Sequence, residues 1–97
     1  MIRREGERLI VSGPVTLANV GALLAEGGAQ LRDGAGAVDL AGVTELDSSL
    51  LAAALAWLRE ANRDGRALRF LNPPPGLVTI ARLYGVAELL PIGASPR

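Results

Sequence analysis

The sequence contains no cysteine, no histidine and no lysine. Without cysteine the chain cannot form a disulfide bond, and without cysteine or histidine it lacks the usual ligands of a zinc site. The commonest general base, the thiolate nucleophile and the lysine of Schiff-base chemistry are missing as well. These absences exclude much ordinary catalytic chemistry, and we expect neither a cofactor nor a metal ion.

Net charge, aromatic side chains and long apolar runs are also scarce. Ten arginines are balanced by ten acidic residues, and aromatic residues make up only 3% of the chain. A neutral chain lacks the basic surface of a nucleic-acid-binding protein. The longest uninterrupted apolar run, residues 50–58, is too short to span a bilayer, and Glu5 and Glu7 interrupt the basic start that a signal peptide would need. We therefore expect a cytoplasmic protein that binds no nucleic acid and does not insert into the membrane.

The length of 97 residues allows one small domain, over residues 1–97. The pattern predicts one or two strands in 2–12, broken at 12–14, then a helix that starts at Leu17 with Thr16 as its N-cap. It further predicts a strand over 37–40, a helix from 47 to about 65, a strand over 66–71 and a helix over 77–84. The fold class is therefore α/β, a small mixed β-sheet of about four strands with three to four helices. Gly27 and Gly28 predict an irregular second half of the first helix, and Gly42 predicts a turn.

The most informative stretch, residues 38–51, runs from a strand through a loop to the start of a helix. Asp47, Ser48 and Ser49 open that helix, where unpaired backbone N–H groups favour negative charge. The simplest interpretation is that one of these side chains caps the helix. A phosphate on Ser48 or Ser49, or a docked partner, would fit the same place.

This stretch resembles the signature of STAS domains, the family of sulfate transporter C-terminal domains and anti-sigma-factor antagonists. The resemblance rests on Asp39-Leu40, on Val43 and on Asp47-Ser48-Ser49. It extends over residues 8–90 and implies the anti-sigma-factor-antagonist-like fold. Leu50 stands where many antagonists have glycine.

The third predicted helix indicates a branch of that family. Residues 77–86, with Leu89-Leu90-Pro91, resemble the end of MlaB-type proteins, stand-alone STAS subunits of the Mla phospholipid ABC transporter of Gram-negative bacteria. The resemblance implies a non-catalytic subunit that binds the cytoplasmic, MlaF-like ATPase and supports its assembly and activity in phospholipid transport and lipid asymmetry. The protein would then lie at the periphery of the inner membrane through that partner.

Within this resemblance the hydroxyl residue directly after the aspartate, Ser48, lies at the ATPase interface. We expect the docking surface at the start of the second helix, completed by the third helix, with Ala52 and Ala53 facing outward so that a partner backbone can approach closely. The predicted partner-binding residues are Asp47, Ser48, Ser49, Ala52 and Ala53.

Other functions remain open at this point. In anti-sigma-factor antagonists a kinase phosphorylates the second serine, which corresponds to Ser49. The alternative is therefore an anti-sigma factor antagonist that is phosphorylated at Ser49 and has an anti-sigma factor kinase as its partner. Leu50 in place of glycine weakens this alternative. An enzyme with Ser48 or Ser49 as nucleophile would lack an ordinary activating base. Asp39, Glu45 and Asp47 suggest paired carboxylates or a metal site only weakly, because they show no clear ligand spacing.

Overall fold

The structure of the protein, a computed structural model, describes residues 1–93. The elements in chain order are β1 (Ile2–Glu5), β2 (Arg8–Val15), α1 (Val20–Arg32), β3 (Ala37–Leu46), α2 (Ser48–Arg63), β4 (Arg69–Leu71), α3 (Pro75–Leu83), a 3₁₀ turn (Ala87–Leu89) and β5 (Ile92–Gly93). The sheet order is β1-β2-β3-β4-β5, antiparallel between β1 and β2 and parallel elsewhere. The predicted α/β class with a mixed sheet is confirmed, and the two-residue β5 extends the expected sheet of about four strands to five.

Strand β2 is longer than the sequence predicts, because it runs through Ser12-Gly13-Pro14 to Val15. Proline cannot donate a backbone hydrogen bond, so it is tolerated where a strand lacks a neighbour on one side. Strand β1 pairs with β2 only as far as Val11, and beyond that point β2 has β3 as its one partner. Pro14 lies beyond the part of β2 that pairs with β1, so the strand continues through it.

Helix α1 begins three residues later than predicted, at Val20. The side chain of Asn19 closes a turn before it, since its Oδ1 accepts from the backbone N–H of Thr16 at 2.9 Å and its Nδ2 donates to the carbonyl of Pro14 at 2.8 Å. The predicted cap at Thr16 is therefore wrong. The predicted irregularity is also wrong, because α1 runs unbroken through Gly27 and Gly28.

At Gly27 the backbone of α1 lies directly against the side chain of Trp57 in α2. A Cβ atom there would lie 2.5 Å from Cζ2 of Trp57, closer than real side-chain atoms approach one another. The indole of Trp57 is 3% exposed, and its Nε1–H donates to the carbonyl of Leu24 at 3.1 Å. The glycine that lowers helix propensity therefore makes room for the largest side chain of α2.

Strand β3 continues from the predicted 37–40 to Leu46, whereas β4 is shorter than predicted and begins at Arg69. The added part of β3 pairs with the end of β2, with register shifts between the two strands. At Gly42 a Cβ atom would lie 3.0 Å from the Cβ of Ser12, so this glycine permits close strand contact instead of forming the predicted turn.

The core lies on one face of the sheet. Leu9, Val38 and Phe70 are in register on three adjacent strands and are all but inaccessible to solvent. Leu50, Leu51 and Trp57 of α2 belong to the same apolar cluster. The apolar face of α2 is thereby held against the sheet, which fixes which side chains of that helix point outward.

Candidate functional site

The site predicted at the start of α2 is organised by the carboxylate of Asp47. Its Oδ1 accepts from the backbone N–H of Ser49 at 2.8 Å, which is the N-cap interaction expected from the sequence. Its Oδ2 accepts from the backbone N–H of Leu17 at 3.0 Å. One side chain therefore caps α2 and also ties the loop after β2 to it.

These hydrogen bonds act on the ionisation of Asp47. The N–H of Leu17 and then the N–H and hydroxyl of Ser49 lower the pKa of the carboxyl below its usual value, because each donor favours the charged form. Partial burial opposes them with a smaller effect. Asp47 therefore remains a carboxylate across the neutral and mildly acidic range.

The two serines that follow have different environments. Ser48 is exposed, whereas Ser49 is only 9% exposed and its hydroxyl hydrogen-bonds with Asp47. Leu50, which follows, is completely buried. A partner can therefore touch Ser48 directly, whereas Ser49 supports the helix start from within.

The next turn of α2 corrects one expectation. Ala52 is exposed as predicted, but Ala53 is 1% exposed and does not face outward. Consecutive helical residues point about 100° apart, so they rarely share an outward face. The exposed stripe of α2 instead runs from Ser48 through Ala52 and the half-buried Leu55 to Arg59, at spacings of four, three and four residues.

Two neighbours complete the surface around Ser48. Leu17 is 79% exposed although its backbone N–H donates a hydrogen bond to Asp47, and it lies before α1 instead of at the predicted helix start. The start of α3 lies near the end of β3, where a Cβ atom at Gly76 would be 3.5 Å from the side chain of Leu46. Asn19 is a residue type that often stands directly before a helix, and this is the sequence signal that could have shown Leu17 to lie outside the helix.

The comparison with protein families decides the assignment. The family model described as "Mlab, STAS domain" matches residues 1–91. The chain belongs to the STAS domain family. None of the curated protein sequences matches it significantly.

Solved structures show the same fold for this STAS domain. The anti-sigma factor antagonist SpoIIAA in its unphosphorylated form matches with a TM-score of 0.72 and 16% identity, over 100% of this chain and 88% of that one. SpoIIAA of Bacillus in its phosphorylated form matches with a TM-score of 0.68 and 16% identity, over 100% and 91% of the two chains. A candidate anti-sigma factor antagonist from Thermotoga maritima matches with a TM-score of 0.75 and 14% identity, over 99% and 86%.

The acidic residues of this STAS domain do not gather at one place. Asp39 and Asp47 lie at opposite ends of β3, eight residues apart, which corresponds to roughly 25 Å of extended chain. Asp39 accepts from the backbone N–H of Ala41 at 3.0 Å and from Asn72 at 3.1 Å, and it lies 3.5 Å from Arg8. Within residues 1–93 no group of three or more acidic side chains is placed to hold a metal ion.

Within residues 1–93, no helix is both long and apolar enough to cross a bilayer.

Proposed function

We propose that this protein is a non-catalytic STAS subunit that binds the cytoplasmic ATPase of an ABC transporter. In this role it supports the assembly and activity of the transporter in phospholipid transport. The observation that carries the proposal is the exposed Ser48, which directly follows the capping Asp47 in a chain whose family model carries the description Mlab. The docking surface is formed by Asp47, Ser48, Ala52 and Leu17.

The chemistry of this surface favours contact over catalysis. A nucleophilic serine needs a base that can accept its proton. The carboxylate that could serve as this base is Asp47, which accepts hydrogen bonds from Ser49. The same hydrogen bonds that lower the pKa of Asp47 make it a poor proton acceptor. Small exposed groups at Ser48 and Ala52 instead leave room for the backbone of a partner.

Ser48→Glu tests this proposal by placing a charge at the centre of the surface. In co-purification we expect the variant to retain at least tenfold less ATPase than the wild type, which corresponds to a loss of about 1.4 kcal/mol in binding free energy. The reason is that the new carboxylate would lose its water at the interface without gaining a compensating hydrogen bond or charge. Ala67→Glu is the matched control, since Ala67 is exposed beside Gly36, at the opposite end of the strands. Equal ATPase retention by wild type and Ser48→Glu would contradict the docking surface.

The likeness to SpoIIAA favours a second candidate function, that of an anti-sigma factor antagonist switched by phosphorylation of Ser49. A phosphate would add about −1.5 to −2 charges beside the carboxylate of Asp47. A kinase would first have to open the helix start, because Ser49 is 9% exposed. Intact-mass analysis after incubation with the anti-sigma factor kinase of the same host separates the two functions. We expect no added phosphate. Phosphorylation of the wild type that is absent in Ser49→Ala would establish the second function.

A further inference from the structure

A groove lies between the second half of α2 and the segment that follows α3. Its volume is about 470 Å³, and its apolar wall consists of Leu55, Leu58, Val86 and Leu89. Leu89 is 60% exposed at its edge, while Leu55 and Leu58 are half-buried at its base. The domain therefore leaves an apolar depression open to solvent beside the exposed stripe of α2.

The edge of this groove carries uncompensated positive charge. Arg59 lines it, whereas Arg63, one turn further along α2, lines the neighbouring depression between α1 and α2. The ion pairs within residues 1–93 include neither of these two arginines. The nearest acid on α2, Glu60, is already paired with Arg32 at 2.8 Å, and Glu88 lines a separate depression that it shares with Arg82.

We propose that this groove binds an amphipathic helix of a protein partner whose polar face is acidic. Leucines of such a helix would fill the apolar base, and a carboxylate of its polar face would meet Arg59 at the edge, as in other helix-in-groove complexes. The side chains of Leu55 and Leu58 are half-buried at the base of the groove. The ridge of a helix reaches such a depression, whereas the flat surface of a bilayer does not.

The groove continues the docking surface described above, and in this respect the inference rests on the proposed function. The exposed stripe that begins at Ser48 and Ala52 passes through Leu55 and Arg59 into the groove. From Ser48 to Asn62 this stripe is about 21 Å long at 1.5 Å per residue. One partner surface can therefore cover both the helix start and the groove.

The binding test uses a synthetic helical peptide of about four turns, with leucines on one face and glutamates on the other. Added to the ¹⁵N-labelled protein, it should shift the backbone amide signals of Leu55, Leu58 and Leu89. Arg59→Glu should weaken binding at least about tenfold. Arg69→Glu should leave binding unchanged, since Arg69 is an exposed arginine of β4 that also takes part in no ion pair of residues 1–93.

Three results would overturn the proposal. The first is equal binding of a peptide with lysine in place of glutamate, because the charge argument would then fail. The second is a set of shifted signals outside the groove. The third is binding to phosphatidylglycerol vesicles with no binding to the peptide, which would make the surface a membrane contact.

Co-purification with the ATPase distinguishes this proposal from the proposed function. If Ser48→Glu loses the ATPase while Arg59→Glu and Leu89→Ser retain it, the docking function stands and the groove proposal fails. If the wild type captures no ATPase but the acidic peptide binds in the groove, the proposed function fails and the groove proposal stands.

Discussion

The first turn of α2 and its middle turns are attached to the domain in different ways. At the start, the carboxylate of Asp47 holds the helix through hydrogen bonds to the backbone of Ser49 and Leu17. In the middle, the indole of Trp57 lies against the bare backbone of Gly27. The start therefore depends on charge and hydrogen bonding, while the middle depends on the fit of atomic surfaces.

This difference separates the surface that we propose for docking from the contact that stabilises the fold. The start of α2 leaves Ser48 and Ala52 outward and free of packing constraints. In the middle, a Cβ atom at Gly27 would already overlap the ring of Trp57, so this contact between the two helices has no room for a larger side chain. Substitutions that change charge and substitutions that change size should therefore act at different ends of the same helix.

The largest effect is expected for Ser49→Glu at the helix start. This substitution buries a second carboxylate beside that of Asp47, which should lower the free energy of unfolding by about 3 kcal/mol. Ser48→Glu is the matched control, and because Ser48 is exposed its free energy of unfolding should change by no more than about 0.5 kcal/mol. Urea unfolding followed by Trp57 fluorescence measures both. Equal losses in the two variants would mean that the two serines do not differ in burial.

The next effect is expected for Gly27→Ala in the middle of the helix pair. The added methyl group overlaps the ring of Trp57, so α1 and α2 must separate, at a cost of about 1–3 kcal/mol in the free energy of unfolding. Gly21→Ala is the control in the same helix, since nothing lies within 4 Å of its Cβ position. Alanine there should leave stability unchanged or raise it by up to about 1 kcal/mol. A Gly27→Ala variant as stable as Gly21→Ala would refute the close contact.

The smallest effect is expected for Asp47→Ala, which removes the cap and the bond to Leu17 while leaving the core intact. Because folding lowers the pKa of Asp47, the charge of Asp47 contributes fully to stability at pH values above the ordinary pKa of aspartate. That contribution is lost as the pH falls through the lower pKa of the folded state. Urea midpoints measured from neutral to acid pH should therefore converge for wild type and Asp47→Ala. A constant difference between them at all pH values would show that the charge of Asp47 contributes nothing.

The helix cap could be predicted from the sequence because its pattern is local. Asp47 was identified as a possible cap from its position before two serines, and the structure shows it bonded to the N–H of Ser49. Ala53 was misplaced because composition alone does not show which of two neighbouring alanines faces the core. Leu17 was misplaced for a related reason, since the Asn19 side chain forms a turn before α1 by reaching back to Thr16 and Pro14.

The groove could not be predicted from the sequence, because its residues come from distant segments of the chain. Its wall joins Leu55 and Leu58 of α2 to Val86 and Leu89, which are about thirty residues away in the chain. No periodicity of either segment shows that they meet. Only the packing of α3 beside α2 brings them together and leaves the positive charge of Arg59 at their edge.

The sequence by itself determined the alternation of strands and helices, the start of α2 and the absence of histidine, lysine and cysteine chemistry, because these depend on residue type and local spacing. The tertiary structure alone decided that Ser48 is exposed and Ser49 buried, that Gly27 accommodates Trp57, and that an apolar groove lies beside α2. These features depend on which surfaces meet when distant segments pack, and that is a property of the whole fold.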